Sequence, residues 1–227
     1  MKRITLISDT HTLHDEITQD LPGGDILIYA GDLMNSGRNI NDITSFCKWF
    51  SSLDMYAHKV FIAGNHDRMF QNDYYSVMEI VNSYDNIAYL QDSEIEVDGI
   101  KIWGSPWQPW FYDWAFNLPR NGKELKEKWD LIPEDTDILI THGPAYGFVD
   151  TVVGRRHENL GCELLIQRIL EVKPKIHVCG HIHTGYGVME NDDTTFINAA
   201  VLNESYNYTQ RPITFDWDKA ENKLSFI

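Results

Sequence analysis

Short apolar runs, each closed by a cluster of polar residues, recur along this 227-residue chain and limit the folds open to it. These runs are Ile4–Ser8, Asp25–Ala30, Val60–Ala63, Asp137–Thr141 and, more weakly, Lys175–Cys179. Continuous apolar runs of this length are typical of strands buried on both faces. Helical stretches are expected between them, at roughly 39–53, 68–82, 121–129 and 161–172. Because alternating strands and helices form parallel βαβ units, the sequence predicts an α/β fold.

Two further segments depart from this alternation and indicate antiparallel pairing. Glu94–Val97 and Ile100–Trp103 flank Asp98-Gly99, a dipeptide favoured in hairpin turns. Four short strands near the C-terminus are expected to pair as a meander: Tyr186–Glu190, Thr195–Asn198, Ile213–Trp217 and Lys223–Phe226. Together the patterns predict one domain over residues 1–227, built from two mixed sheets with helices outside.

Each apolar run is followed directly by residues that can bind metal or exchange protons. These clusters are Asp9-Thr10-His11, Gly31-Asp32, Gly64-Asn65-His66-Asp67, His142-Gly143 and Gly180-His181-Ile182-His183. Ligands collect at the carboxyl ends of strands in α/β sheets, so we expect the clusters to converge at one edge of one sheet. Any single cluster is commonly a cap or a turn, but five in the same position indicate a shared site.

The residue types in the clusters suit a divalent metal ion. Five of the nine histidines belong to them, alongside carboxylates and an amide. Ligands of this kind accept Mn, Fe, Zn or Mg. Residues i and i+2 of an extended segment point the same way, so Asp9 and His11 can face one site together. The same spacing relates His181 to His183.

The net charge of −15, from 19 Lys+Arg against 34 Asp+Glu, argues against a polymeric nucleic-acid substrate. It is equally the charge of an ordinary soluble surface. The three cysteines have no Cys-x-x-Cys spacing, which argues against a disulfide framework or a thiolate zinc site. The N-terminus has no signal-peptide pattern and no stretch approaches membrane-spanning length, so we expect a cytoplasmic protein with no membrane partner.

The order of the five clusters resembles the calcineurin-like metallophosphoesterase superfamily, over roughly residues 4–198. Two other segments, Gly104–Phe111 and Phe116–Arg120, resemble the metallophosphoesterase-domain-containing branch of class III phosphodiesterases. The resemblance implies a four-layer α/β/β/α sandwich with two divalent metal ions between the strand ends. Manganese is the ion we expect first, with iron, zinc or magnesium as alternatives.

The resemblance also implies a role for each clustered side chain. The metal ligands would be Asp9, His11 and His183 at one ion, Asn65, His142 and His181 at the other, and Asp32 bridging both. His66 would act as an acid beside the leaving oxygen, oriented by Asp32 or Asp67, which makes these three the expected catalytic residues. Mammalian members of the branch can carry Gly where this chain has His181, so we expect a fuller two-metal site here.

A pair of divalent ions outweighs the charge of its carboxylate ligands and can attract a phosphate despite the acidic surface. Such a pair can share a hydroxide, lower its pKa toward neutrality and hold the phosphoryl oxygens for in-line attack. The expected activity is hydrolysis of small phosphodiesters, nucleotide-derived or cyclic, with His66 protonating the leaving oxygen. Two alternatives stay open: a monoesterase acting on phosphoproteins or small phosphate esters, and a metal-binding scaffold with little catalysis.

Four residues are candidates for contact with the substrate: Trp107, Asn117, Arg120 and His14. Trp107 belongs to a group of four tryptophans between residues 103 and 114, which forms either an apolar cluster under a loop or a wall that stacks on a nucleobase. Asn117 and Arg120 would reach phosphate or ribose from the same loop, although Arg120 suits a surface ion pair equally well. For His14 a solvated or capping role is the alternative.

Two remaining features lie outside the clusters. His177, in the middle of a strand, has the pattern of a core histidine. The segment 146–157 reads as a mobile loop beside His142, and its Arg155 and Arg156 would bind either a second phosphate or another subunit. The sequence leaves that choice and the oligomeric state open.

Overall fold

The computed structural model describes residues 1–152 and 158–227. The strands of these residues are β1 (Lys2–Ile7), β2 (Gly24–Ala30), β3 (Tyr56–Ile62), β4 (Ala88–Tyr89), β5 (Ser93–Val97), β6 (Ile100–Ser105), β7 (Gln108–Pro109), β8 (Asn117–Leu118), β9 (Ile138–Thr141), β10 (Thr151–Val152), β11 (Glu158–Asn159), β12 (Ile176–Cys179), β13 (Gly187–Glu190), β14 (Thr195–Asn198), β15 (Ile213–Asp218) and β16 (Lys223–Phe226). The α-helices are α1 (Ile40–Ser51), α2 (Arg68–Asn72), α3 (Tyr74–Val81), α4 (Lys123–Trp129) and α5 (Glu163–Val172), and 3-10 turns span His14–Asp20 and His183–Gly185.

Over the described residues, twelve of the strands form two six-stranded mixed sheets. The first has the order β16-β15-β1-β2-β3-β4 and the second the order β13-β14-β12-β9-β6-β5. The central pairs of each sheet are parallel. Antiparallel pairs lie at both edges of the second sheet and at the β16 edge of the first, whose other edge is the parallel pair of β3 and β4. All five predicted apolar runs are central strands, because only there are both faces covered.

Three hydrophobic clusters in the described parts of the chain separate four layers. The middle cluster joins the two sheets face to face and includes Ile28 from the first and Ile140 from the second. A second cluster, with Phe50, packs α1 and α3 against the outer face of the first sheet. A third, with Leu165, packs α4 and α5 against the outer face of the second sheet. The predicted α/β/β/α sandwich is confirmed.

The helices follow their apolar spacing. In α1 the buried residues Ile43, Phe46, Cys47 and Phe50 recur every three or four positions, which places them on one face. The single helix expected over 68–82 is two helices, because Asp73 leaves the helical region with φ −139° and ψ 49°. In that conformation its carboxylate accepts a hydrogen bond from the Ser76 hydroxyl, at 2.9 Å.

The expected C-terminal meander is wrong. Strands β13 and β14 form a hairpin at the edge of the second sheet, where β14 lies parallel to β12. Strands β15 and β16 form a hairpin at the edge of the first sheet, where β15 lies antiparallel to β1. Both hairpins bury apolar residues in the middle cluster, Ile197 from one and Phe215 from the other, so each sheet is extended by its own pair.

The expectation of one sheet edge also needs correction. Strands β1, β2 and β3 belong to the first sheet, whereas β9 and β12 belong to the second. The polar clusters nevertheless meet, because the middle cluster stacks the two sheets with the carboxyl ends of their parallel strands on the same side. A parallel bridge from Ser8 to Ala200 joins the sheets at that end. Among the described helices, none combines the length and the apolar character needed to cross a membrane.

Candidate metal centre

Polar side chains from five strand ends converge where the two sheets meet. They are Asp9 and His11 after β1, Asp32 after β2, Asn65 and His66 after β3, His142 after β9, and His181 and His183 after β12. Six of these residues are buried, and His181 and His183 are half-buried. The structure therefore brings together every residue that the sequence assigned to metal binding.

Two buried carboxylates lie at the middle of this group. Asp9 Oδ1 is 3.4 Å from His183 Nε2 and 3.9 Å from His11 Nε2. Asp32 Oδ2 is 3.2 Å from His142 Nε2 and 3.8 Å from His11 Nε2. Each carboxylate belongs to a different group of three residues whose ligand atoms lie within 4.8 Å of one another. One group is Asp9, His11 and His183, and the other is Asp32, His142 and His181. Two adjacent sets of this kind are the arrangement that a two-metal site needs.

Backbone carbonyls orient the imidazole rings. In three of the histidines the Nδ1 atom lies at hydrogen-bond distance from a backbone carbonyl oxygen. The distances are 3.1 Å from His11 to Met34, 2.8 Å from His142 to Ala30, and 2.9 Å from His183 to Asn203. An Nδ1–H that donates to a carbonyl leaves Nε2 as the atom that faces the site. Histidines that bind metal are held in this way, with the second nitrogen engaged and the tautomer defined.

The chemistry of these donors fits divalent cations. Within the described residues, His11 Nε2 is buried and has no hydrogen-bond partner, although two carboxylates lie within 4 Å of it. Asn65 adds an amide oxygen, which lies 2.9 Å from His142 Nε2. Buried polar atoms are nearly always paired, and a cation between these atoms would satisfy them together. Carboxylate, amide and imidazole ligands suit Mn, Fe, Zn or Mg.

Both carboxylates are ionised despite their burial. Burial opposes the charge of Asp9, but a hydrogen bond from His183 and attraction to His142 and His183 together outweigh it and lower the pKa of Asp9 to about 2. Burial likewise opposes the charge of Asp32, but attraction to His142 holds the pKa of Asp32 well below its usual range. A fixed pair of negative charges in a buried site favours cations.

The imidazoles divide into two kinds. Burial lowers the pKa of His11 to about 4 and that of His181 to about 3, so both rings are neutral at pH 7. Burial acts in the same direction on His142 and His183, but Asp32 and Asp9 respectively outweigh it and raise both pKa values to about 9. Two rings therefore carry a proton that a metal ion would have to displace.

The backbone is in an unusual conformation at four residues of the site. Asp9, His11, Asp32 and His181 have positive φ values of 56°, 42°, 60° and 66°. L-residues other than glycine rarely adopt this left-handed region, and such residues cluster at functional sites. The bonds from the backbone N–H of His181 to both Asp9 carboxylate oxygens, at 3.1 and 3.0 Å, help to hold this conformation across the two sheets.

Asp67 is a buried carboxylate that holds together two of the loops that carry site residues. Its carboxylate accepts hydrogen bonds from the backbone N–H groups of Asp32 at 2.9 Å, Met34 at 2.8 Å and Gly64 at 2.7 Å. These bonds join the loop after β2 to the loop after β3. Burial, together with the nearby charge of Asp32, raises the pKa of Asp67 to about 8. Its contacts are those of a residue that positions the loops carrying Asp32 and His66.

His66 is oriented differently from the sequence-based expectation. Its Nδ1 bonds to the carbonyl oxygen of Asn35, and its ring stacks on Trp114 with centroids 3.9 Å apart. Asp32 bonds the backbone N–H of His66, at 2.7 Å, rather than the ring. The His66 ring also meets His11 edge to face, with centroids 4.5 Å apart, and shares a possible metal-binding set with His11 and Asp32.

A cavity of about 410 Å³ opens beside these residues, and Arg120 contributes to its wall. Three contacts hold the Arg120 guanidinium: the carbonyls of Gly161 at 2.9 Å and Leu160 at 2.7 Å, and the carboxylate of Glu163 at 2.7 Å. The ion pair that the sequence left open for Arg120 is therefore present, at the edge of the cavity.

Trp107, Asn117 and His14 lie outside the lining of this cavity. Trp107 points to Asp92, which accepts a hydrogen bond from its indole N–H at 3.0 Å. Asn117 donates to the backbone carbonyls of the 111–114 loop. His14 is buried against Trp49, with ring centroids 5.0 Å apart. Each of these side chains packs against or hydrogen-bonds to residues away from the metal centre. The prediction that they contact the substrate is therefore not supported by their positions.

Sequence reasoning missed the backbone carbonyls that orient the imidazole rings, and it missed Tyr206. The carbonyl of Asn35 orients His66 and the carbonyl of Asn203 orients His183. A backbone acceptor cannot be predicted from a pattern of side chains. Tyr206 packs against His11, with centroids 4.8 Å apart, and lines the cavity. Trp110, which does line the cavity, belongs to the tryptophan group that the sequence singled out. The predicted role of 146–157 depends on Arg155 and Arg156, which lie outside the described residues.

A four-layer sandwich with two adjacent acidic, histidine-rich sets at the facing sheet ends defines a metal-dependent hydrolase. The family model for calcineurin-like phosphoesterases matches residues 2–185. The chain is 44% identical to metallophosphoesterase domain-containing protein 1 of Homo sapiens and of Mus musculus, over 97% of its own length and 72% of theirs. It belongs to the calcineurin-like phosphoesterase family and is a metal-dependent phosphoric ester hydrolase.

Solved structures share this fold. The crystal structure of TT1561 of Thermus thermophilus is similar with a TM-score of 0.67 and 15% identity, covering 99% of this chain and 97% of that one. Purple acid phosphatase PPD1 from yellow lupin seeds is similar with a TM-score of 0.55 and 13% identity, covering 99% of this chain and 52% of that one. These two similarities concern the fold alone.

Proposed function

We propose that this protein is a phosphodiesterase that hydrolyses small diesters, nucleotide-derived or cyclic, with two divalent metal ions. The single observation that carries the proposal is the placement of His66, whose ring lines the cavity beside Asp32 and His11. The bond to Asn35 and the stack on Trp114 hold that ring in one orientation. A group of this kind is what the poor leaving oxygen of a diester requires.

The seven side chains named as ligands would hold the metals, with Asp9, His11 and His183 at one ion, Asn65, His142 and His181 at the other, and Asp32 between them. When bound, the ions would supply Lewis-acid activation of the phosphate and of water. Manganese is the ion we propose, with iron, zinc and magnesium as alternatives.

The chain's own residues would then perform three tasks. His66 as imidazolium donates its Nε2 proton to the leaving oxygen, an effect typically worth about 10²–10⁴-fold. Asp67 keeps the loops that carry Asp32 and His66 in register through its backbone hydrogen bonds. The apolar side chains around the cavity, including Phe111, shield the reacting group from bulk water.

A monoesterase acting on phosphoproteins or small phosphate esters is the second candidate. The resemblance favours the diester over this candidate, because a histidine in the place of His66 accompanies diester cleavage in related families. The third candidate, a scaffold with little catalysis, is disfavoured by the complete ligand set. The three cysteines are buried free thiols, which supports a reducing, cytoplasmic setting for the activity.

A substrate panel tests the proposal. Chelator-stripped protein reloaded with Mn²⁺ should cleave bis-p-nitrophenyl phosphate faster than p-nitrophenyl phosphate, and should be tested on 2′,3′- and 3′,5′-cyclic nucleotides. His58→Ala is a control that should keep native activity, since His58 is half-buried on β3, outside the metal centre, and lies 3.5 Å from Asp98. Faster cleavage of the monoester would favour the second candidate. Inactivity with every divalent ion would favour the scaffold.

A further inference from the structure

The loop at 203–208 lies over the metal centre and beyond the residues that match the family model. Asn203 organises it: the side-chain oxygen accepts from the N–H groups of Ser205 at 2.9 Å and Asn207 at 3.1 Å. The Asn203 carbonyl accepts from the N–H of Tyr206 at 2.8 Å and bonds His183 Nδ1 at 2.9 Å. The loop is therefore connected directly to a proposed metal ligand.

This loop holds Tyr206 in a constrained position. Its φ of 58° is in the left-handed region, which a bulky residue adopts only when its surroundings require it. The ring meets His11 and His183 at centroid distances of 4.8 and 5.4 Å, inclined by about 65° in both cases. The side chain remains exposed on its other side, at 44% for the whole residue. The Tyr206 ring therefore lies between the metal centre and solvent.

Two cavities meet at this residue. The larger, of about 410 Å³, is walled by Trp110 and Phe111 and reaches His66. The smaller, of about 320 Å³, is lined by Thr12, Leu13 and Asn35. His11 and Tyr206 are common to both linings. The Tyr206 ring is therefore a partition between the larger cavity, which has aromatic walls, and the smaller one, which Thr12 and Asn35 line, and both cavities reach His11.

A linear phosphodiester has the shape that two such cavities accommodate. A phosphate held near His11 would carry two organic arms, one on each ester oxygen, and a monoester carries only one. Because His66 lines the larger cavity, the leaving arm belongs there. The aromatic walls suit a planar leaving group, and the hydroxyl of Thr12 and the amide of Asn35 suit an arm with sugar-like hydroxyl groups.

We propose that the two cavities are subsites for the two arms of a linear phosphodiester, with Tyr206 as the partition that determines specificity for the retained arm. This inference rests on the proposed diesterase function. The reaction is ordinary ester hydrolysis: the P–O bond to the leaving arm breaks, water supplies the new P–O bond, and His66 gives the leaving oxygen its proton. The product is the phosphate monoester of the retained arm.

Two substrates with the same leaving group isolate the smaller cavity. Methyl p-nitrophenyl phosphate and thymidine 5′-(p-nitrophenyl phosphate) both attach the retained arm through an alkyl carbon, so their intrinsic reactivities are similar. The Mn²⁺-loaded native enzyme should favour the thymidine ester in kcat/KM by at least about tenfold, the range that pocket contacts provide. Tyr206→Ala should reduce that preference to less than about threefold, chiefly through KM. Tyr206→Phe should keep the preference, because the ring forms the partition.

Binding provides a second readout. Thymidine 5′-monophosphate, the product with the retained arm, should bind Tyr206→Ala about tenfold more weakly than the native protein in calorimetry, while metal content stays equal. Tyr75→Ala is the control, because Tyr75 is 86% exposed on α3. A native preference near one would overturn the inference, and so would an equal loss in Tyr206→Phe. If bis-p-nitrophenyl phosphate is still cleaved, the diesterase proposal survives; if no diester is cleaved, that proposal falls first.

Discussion

Metal binding to chelator-stripped protein should release protons, in a number that the site defines. His142 and His183 each have a pKa raised to about 9 by a neighbouring carboxylate. At pH 7.5 a group with that pKa is about 97% protonated, and a metal ligand must be neutral, so each ring releases about one proton. Asp67, with its pKa raised to about 8 by burial and by Asp32, adds up to about one more as the ions offset the charge of Asp32.

Titration calorimetry in buffers of different ionisation enthalpy measures this number directly. We expect these side chains to release about two to three protons per chain when Mn²⁺ fills both sites at pH 7.5, and a water that becomes the shared hydroxide adds about one more. His183→Ala should lower the count by about one. His181→Ala is the matched control: burial lowers the pKa of His181 to about 3, so its ring has no proton to release. Its loss should weaken affinity and leave the proton count unchanged.

The sign of the pH dependence follows from the same pKa values. Protons compete with the metal below pH 9, so the apparent affinity should fall as the pH falls from 9 to 6. Over that range the two imidazoles contribute a slope of about two in a plot of log affinity against pH. Release of no protons, or equal losses in His181→Ala and His183→Ala, would refute the assignment of these two rings.

Three other changes have defined outcomes. His66→Ala should lose about 10²–10⁴-fold in kcat on a cyclic nucleotide, whose alkoxide leaving group needs a proton, and much less on bis-p-nitrophenyl phosphate. It should keep two metals per chain by elemental analysis, and a parallel loss of metal would make His66 a metal ligand. Gly180→Ala places a Cβ on the Asp9 carboxylate, so it should lower the metal content and reduce the free energy of unfolding in denaturant by about 1–3 kcal/mol. Gly143→Ala is its control, because the new Cβ meets Gln108 Cβ at an ordinary 3.4 Å and should change the stability little. Burial lowers the pKa of His177 to about 3, below the unfolded value of about 6.5, so its contribution to stability is lost as the pH falls between these values. His177→Gln should therefore flatten the unfolding free energy of metal-free protein by about 1.4 kcal/mol per pH unit between pH 5.5 and 4; parallel profiles would contradict this.

Much of the fold could be predicted because the relevant signals are local. The apolar runs recover the central strands, and the hairpin around Asp98-Gly99 was predicted from its turn. Strand β3 begins at Tyr56, four residues before the predicted start at Val60. There Lys59 interrupts the apolar pattern, yet it is 3% exposed and its ammonium donates to the carbonyls of Leu53 and Tyr56. Nothing in the sequence indicates that backbone carbonyls will satisfy a lysine ammonium, so a buried lysine is not predicted.

The assignment of strands to sheets and the support of the site could not be predicted, because both depend on distant residues. No local pattern distinguishes β14 from β15, although one extends the second sheet and the other the first. Asp9, which has a positive φ, accepts hydrogen bonds from the backbone N–H of His181, 172 positions away. Tyr206 reaches His11 only through the fold. Sequence proximity also misplaced Trp107, which follows the motif order but faces Asp92.

Anomalous diffraction from crystals of the Mn²⁺-loaded protein tests the central claim most directly, since that claim is a two-metal centre at the facing sheet ends. We predict two peaks per chain about 3.5–4 Å apart, with Asp32 between them, Asp9 at one and Asn65 at the other. His66 should lie beside the pair and outside both coordination spheres. A single peak, or a peak coordinated by His66, would contradict the account.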